Sequence, residues 1–130
     1  MTKDSATSPV GWYYASYVLR FTELTDGSRN DPERKFLTWE NTVLIQAGSL
    51  EEAYEKVTKL GRQATKPYRG GEEGVPVRWR FEGITELIPI YEKLQDGAEI
   101  AWTDYGLRKL KTVKKWVRSK SAFKKRLVRK

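Results

Sequence analysis

A chain of 130 residues with 38% hydrophobic side chains has room for one domain, with a core drawn from about 90–100 residues. It contains neither cysteine nor histidine, which excludes disulfides, thiolate zinc sites, thiol nucleophiles and the commonest general base and metal ligand. The formal charge of +8 belongs to one end: residues 107–130 hold twelve of the 25 Lys and Arg and no acid, leaving thirteen basic against 17 acidic residues elsewhere.

In chain order, the opening MTKDSATSPV is rich in Ser, Thr, Asp and Pro and predicts a disordered lead-in over residues 1–10. It lacks the apolar stretch of a signal peptide, and no run approaches the roughly 18 apolar residues of a membrane span. A soluble, cytoplasmic protein is therefore expected.

Residues 11–24, GWYYASYVLRFTEL, alternate as a strand, with Tyr13, Ala15, Tyr17, Leu19 and Phe21 on one face. Trp12, Tyr14, Ser16, Val18, Arg20 and Thr22 fall on the other. Because both faces begin aromatic, Trp12 and Tyr14 are candidates for a second packing surface or dimer interface, with base stacking as the sharper alternative. A polar loop over 25–35 carries the turn signals Asp26-Gly27 and Asp31-Pro32. The second strand, FLTWENTVLIQAG, turns Leu37, Trp39, Val43, Ile45 and Ala47 inward; Asn41 interrupts that face and marks a bulge or a buried polar contact. The pair predicts an antiparallel hairpin.

Residues 49–64, SLEEAYEKVTKLGRQA, predict a helix. Ser49 and Glu52 have capping-box spacing, and Leu50, Ala53, Tyr54, Val57, Leu60 and Ala64 form one apolar stripe. Glu52→Lys56 and Glu55→Lys59 are favourably oriented i,i+4 pairs, and Arg62 suits the C-terminal end of the dipole. A Gly- and Pro-rich loop follows, and its GGEEG lacks the lysine and following helix of a phosphate-binding loop.

The stretch VRWRFEGITELIPI is a third strand, with Val75, Val77, Trp79 and Phe81 facing one way and Arg78, Arg80 and Glu82 the other. Gly83 is placed for a bulge, and Pro89 limits further pairing. A turn at Asp96-Gly97 leads to a last strand around EIAWTDYGL. From about Asp104 to Arg118 a helix is expected, with Leu107, Leu110, Val113 and Val117 as a narrow stripe and Trp116 on its shoulder; Ser119 and Ser121 interrupt before AFKKRLVRK. The reading is an α+β domain over 11–106: a mostly antiparallel sheet of about four strands in ββαββ order, one helix on a face, and a basic helical or disordered tail over 107–130.

Trp12-Tyr13-x-Ala15, Trp39-Glu40, Glu52-Ala53-Tyr54-Glu55-Lys56 and Arg78-Trp79-x-Phe81, in that order, resemble a family of short bacterial proteins, domain-of-unknown-function family 4288. The resemblance covers residues 11–105 and leaves the tail outside. It implies a ββαββ domain and a bacterial origin, and no activity or site residue.

The tail is the leading candidate site. Arg108, Lys109, Lys111, Lys114, Lys115, Arg118, Lys120, Lys124, Lys125 and Arg126 are dense enough to neutralise phosphates, with Trp116 and Phe123 interleaved as stacking residues. Six phosphate contacts would set a salt slope of about −5. Docking on an acidic protein, on anionic lipid, or back onto Glu51, Glu72, Glu73 or Glu92 are the alternatives, beside a merely solvated end. Arg78 and Arg80, with Arg20 beside them, are either a solvated sheet face partnered by Glu40 or Glu82, or a basic groove continuous with the tail. Glu51/Glu52 and Glu72/Glu73 are sequence neighbours and do not converge across a cleft, while Glu40 and Glu82 would meet only if their strands adjoin. No catalytic residue, cofactor or metal ligand is assigned. The expectation is a non-enzymatic binder of nucleic acid or another polyanion, with a protein–protein module or homodimer as alternative.

Overall fold

The computed structural model describes residues 5–63, 65–71 and 73–126, the side chain of Arg126 excepted. Its elements are β1 (Trp12–Glu23), β2 (Thr38–Gln46), α1 (Leu50–Gln63), β3 (Tyr68–Gly70), β4 (Val75–Pro89), α2 (Leu110–Trp116) and α3 (Lys120–Arg126). The four strands form one antiparallel sheet in the order β2-β1-β4-β3, and α1 packs on one face against β4, β1 and β2. This is the expected α+β class and ββαββ order.

The alternation in β1 places Tyr13, Ala15, Tyr17 and Leu19 beneath α1, where they are buried with Ile45, Ala47, Ala53 and Val57. The pairing with β2 runs without a register shift, so Asn41 marks no bulge; it sits half-buried opposite Tyr17. Against β4 the register slips twice, leaving Glu82 and Thr85 as extra residues on either side of Gly83-Ile84. Gly83 takes φ 148°, a conformation that side-chain-bearing residues rarely adopt. One bulge alone would turn Leu87 to the wrong face, and the second restores the phase. Phe81, Ile84 and Leu87 therefore all pack on the core despite their irregular spacing. Beyond α1, Trp79 extends the apolar layer by packing against Phe21 at 5.3 Å and Trp39 at 5.2 Å.

The buried line of α1 is narrower than its apolar stripe. Ala53, Val57 and Gly61 are buried and Leu50 is partly so, whereas Tyr54 and Leu60 are exposed. Gly61 has displaced the larger residues because Phe81 of β4 lies against it, and a Cβ there would overlap the Phe81 ring. Ala64 lies outside the described residues.

At the start of α1 the Glu52 amide donates to Ser49 Oγ at 3.1 Å, while Glu52 Oε2 accepts from the amide of Gly48 at 3.0 Å. The reciprocal cap thus reaches one residue further back than the capping-box spacing predicts. Glu52 also pairs with Lys56 at 3.3 Å, but Glu55 and Lys59 form no ion pair. The Gly48 amide first, then Lys56, hold the Glu52 carboxyl below its ordinary value of 4.5. A carboxyl lowered by folding stabilises above its unfolded pKa, and that contribution fades as pH falls through the lower folded value. Protection of the Gly48 amide against exchange, relative to its intrinsic rate, is expected to fall on acidification below about pH 4.5 in the native chain but to be insensitive to that titration in Glu52→Gln. Ser49→Ala is expected to cost about 1 kcal/mol in denaturant unfolding.

Two expectations change. The lead-in is not disordered over residues 5–10: buried Ser8 donates its hydroxyl to the Ile90 carbonyl, accepts the Trp12 amide at 3.1 Å, and donates its own amide to the Tyr13 hydroxyl at 3.0 Å. Residues 1–4 lie outside the described set. The fourth strand is the three-residue β3, within the loop after α1, and not residues 99–107. The Asp96-Gly97 turn forms, with the Ala98 amide donating to the Gln95 carbonyl at 3.0 Å, but the segment after it makes no ladder. Both edges of β1 are already taken by β2 and β4. Residues 101–103 instead lie over the face opposite α1, bordering Tyr14, Ser16 and Ile88, and Trp102 packs near Tyr91 at 6.5 Å. The loop joining β1 to β2 follows its turn signals, with Asp26 and Asp31 side chains accepting the amides two residues on.

Candidate polyanion interface

The tail is two short helices rather than one. α2 begins at Leu110, without a side-chain cap, and ends at Trp116 because Val117 is extended at ψ 133°. Ser119, expected only to interrupt, starts α3: its Oγ accepts the Ala122 amide at 3.3 Å and its carbonyl that of Phe123. Among the described residues neither helix packs against the sheet or α1. Leu107, Leu110 and Val117 are exposed, and the Trp116 ring meets Tyr105 at 4.6 Å. Seven-residue helices with no covering surface are marginal in water.

Arg108, Lys109, Lys111, Lys114, Lys115, Arg118, Lys120, Lys124 and Lys125 are all exposed. None forms an ion pair among the described residues, where the pairs are Arg20–Glu82, Arg34–Asp26 and Lys56–Glu52. Folding back onto Glu51, Glu73 or Glu92 is therefore not seen; Glu72, the Arg126 side chain and residues 127–130 lie outside the described set. Of the candidate dimer face, Trp12 and Tyr14 are both partly buried, and Tyr14 borders residues 101–103. The exposed apolar side chains of the hairpin are Leu37, Trp39 and Leu44, on or beside the outer edge strand β2.

On the domain, Arg20 lies directly across from Arg80, and Thr22 from Arg78. Arg20 is committed: its Nε donates to Glu82 at 2.8 Å, its Nη atoms to the Arg29 carbonyl and Asn30 Oδ1, and its guanidinium sits 4.6 Å from the Phe36 ring. Glu40 instead accepts from the Thr85 hydroxyl, so Glu40 and Glu82 hold different partners. Among the described residues Arg78 and Arg80 pair with no carboxylate, and their Nε atoms are buried without an acceptor. A buried donor left unmade costs about 1–3 kcal/mol, and like charges facing across strands add to that.

Beyond Val77, β3 no longer covers β4, and a cleft of about 650 Å³ opens at that free edge. Arg20, Arg78, Arg80 and Glu82 line it together with Tyr54, Thr58 and Arg62 of α1. Sequence reasoning assigned Arg62 to the helix dipole and Tyr54 to the core, and missed both as cleft residues. Only the register of β4 beneath α1 brings them to Arg78 and Arg80.

No helix among the described residues is long and apolar enough to cross a membrane. No curated protein and no solved structure matches the chain. The family model Domain of unknown function (DUF4288) matches residues 12–102, the sheet, α1 and the segment that recrosses the sheet but not the basic tail, and the chain belongs to that family.

Proposed function

We propose that this is a non-enzymatic, cytoplasmic binding protein that engages nucleic acid through its basic C-terminal segment. The observation carrying the reading is that nine Lys and Arg of residues 108–125 are exposed and, among the described residues, without ion pairs, on and beside two helices that rest on no other described element. Such a segment gains by exchanging condensed counterions for its own cations on a phosphate backbone. Phe123, half exposed, offers a ring for a base, and Trp116 shares its ring with Tyr105.

The test compares the full chain with a full-length variant carrying Lys109→Gln, Lys111→Gln, Lys114→Gln, Lys115→Gln and Lys120→Gln. Fluorescence anisotropy on generic single- and double-stranded DNA and RNA is expected to show binding by the first and near-complete loss in the second. Equal binding by both would sink the proposal. A protein–protein module is the second reading, favoured by β2 being an edge strand among the described residues, with Trp39 and Leu44 exposed on it. It predicts partner capture that survives high salt and fails with Leu44→Lys.

A further inference from the structure

Among the described residues, the cleft at the β4 edge carries charge that no free carboxylate balances. Glu82 is the one acid lining it among the described residues, and Arg20 already holds that carboxylate at 2.8 Å. This leaves Arg62, Arg78 and Arg80. Arg78 and Arg80 project two residues apart from β4, and Arg62 comes from α1, so the cations reach the cleft from two elements. We infer that this cleft binds the phosphoryl group of a small phosphorylated organic molecule, with Arg62, Arg78 and Arg80 as its anion-binding residues.

The donor set argues for phosphoryl. Thr58 and Thr65 also line the cleft, but their hydroxyls donate to the carbonyls of Tyr54 and Arg62 within the α1 region. The side-chain donors left over are guanidinium groups, the Asn30 amide and the Tyr54 phenol, and planar guanidinium forks match the oxygens of a phosphoryl group in pairs. Three uncompensated cations suit a dianion better than a single carboxylate. With their Nε atoms buried, Arg78 and Arg80 are partly withdrawn from water, where their charge is screened less than on an open surface. Phe81 lines the same space and Tyr54 is exposed at it, giving apolar surface for the organic part. A volume of about 650 Å³ is that of an ordinary small-molecule site.

This inference stands apart from the tail, and either can fail alone. The full chain is titrated with phenyl phosphate, inorganic phosphate and benzoate, followed by calorimetry and by the arginine Nε–Hε resonances. Phenyl phosphate is expected to saturate at one site and to bind about tenfold more tightly than benzoate, with inorganic phosphate in between. Arg80→Met keeps the apolar stem and removes the charge, and is expected to lose about tenfold in phenyl phosphate affinity. Free of ligand it melts higher than the native chain, because an unpartnered charge facing Arg20 is gone. Arg62→Gln, on an exposed helix position, loses only a small dipole contribution to folding and shows the same loss of binding. The five-fold tail variant binds phenyl phosphate as the native chain does. A non-saturating response, benzoate binding as tightly as phenyl phosphate, full binding by Arg62→Gln and Arg80→Met, or loss of binding in the tail variant would each overturn the assignment.

Discussion

Gly61→Val is expected to destabilise the protein by about 2–3 kcal/mol, a fall in melting temperature of about 10 °C or more. Glycine inside a helix ordinarily costs about 1 kcal/mol relative to alanine, so a substitution there would normally help. Here the helix runs so close to β4 that any Cβ meets the Phe81 ring, which is itself held against Tyr17 at 6.0 Å. Valine adds branching that suits a helix poorly and two methyl groups for which no space exists. Alanine is the milder case, its gain in propensity largely offset by displacement of the ring. A double-mutant cycle measures the contact: in a Phe81→Ala background the valine occupies vacated space and its cost should shrink by about 1 kcal/mol or more. An unchanged cost in that background would show that the close approach is not the reason for the glycine.

Salt is expected to abolish nucleic-acid binding steeply. With six tail cations on phosphates, log affinity falls with log salt at a slope of about −5, which is about a thousandfold between 50 and 200 mM. The five-fold glutamine variant should flatten the slope as well as weaken binding, because each contact removed is a counterion no longer released. Phosphoryl binding in the β4 cleft shows a much shallower dependence, since one compact anion replaces a polymer with its counterion atmosphere. Far-ultraviolet circular dichroism at low salt reports the same event from the protein side: α2 and α3 gain helicity when nucleic acid covers them. An affinity indifferent to salt would require a hydrophobic interface, and the exposed edge of β2 would then be the place to look.

Much of the fold was legible because it rests on local periodicity. The alternation of Tyr13, Ala15, Tyr17 and Leu19, and the Ser49–Glu52 cap, are set by backbone geometry over a few residues. The double bulge in β4 was half legible: the apolar positions 81, 84 and 87 break period two, and Gly83 stands among them, but the spacing alone does not say how many residues slip. The fourth strand was misplaced because Ile100 and Trp102 look like strand residues. Strand-like side chains do not by themselves make a ladder, and residues 101–103 border the sheet face opposite α1 instead of running alongside β2 or β4.

What the sequence by itself determined was the α+β class, the order of its elements, the separation of a mildly acidic domain from a basic tail, and the absence of Cys and His chemistry. Tertiary structure alone decided which face of α1 is buried, that residues 5–10 dock through Ser8 and Tyr13, that Glu82 is taken by Arg20, and that Arg62 meets Arg78 and Arg80 at one cleft. The physical reason is range. Periodicity, capping and net charge are properties of neighbours in the chain, whereas a close approach, a charge left unpaired and a cleft depend on register between strands and on how near a helix comes to a sheet.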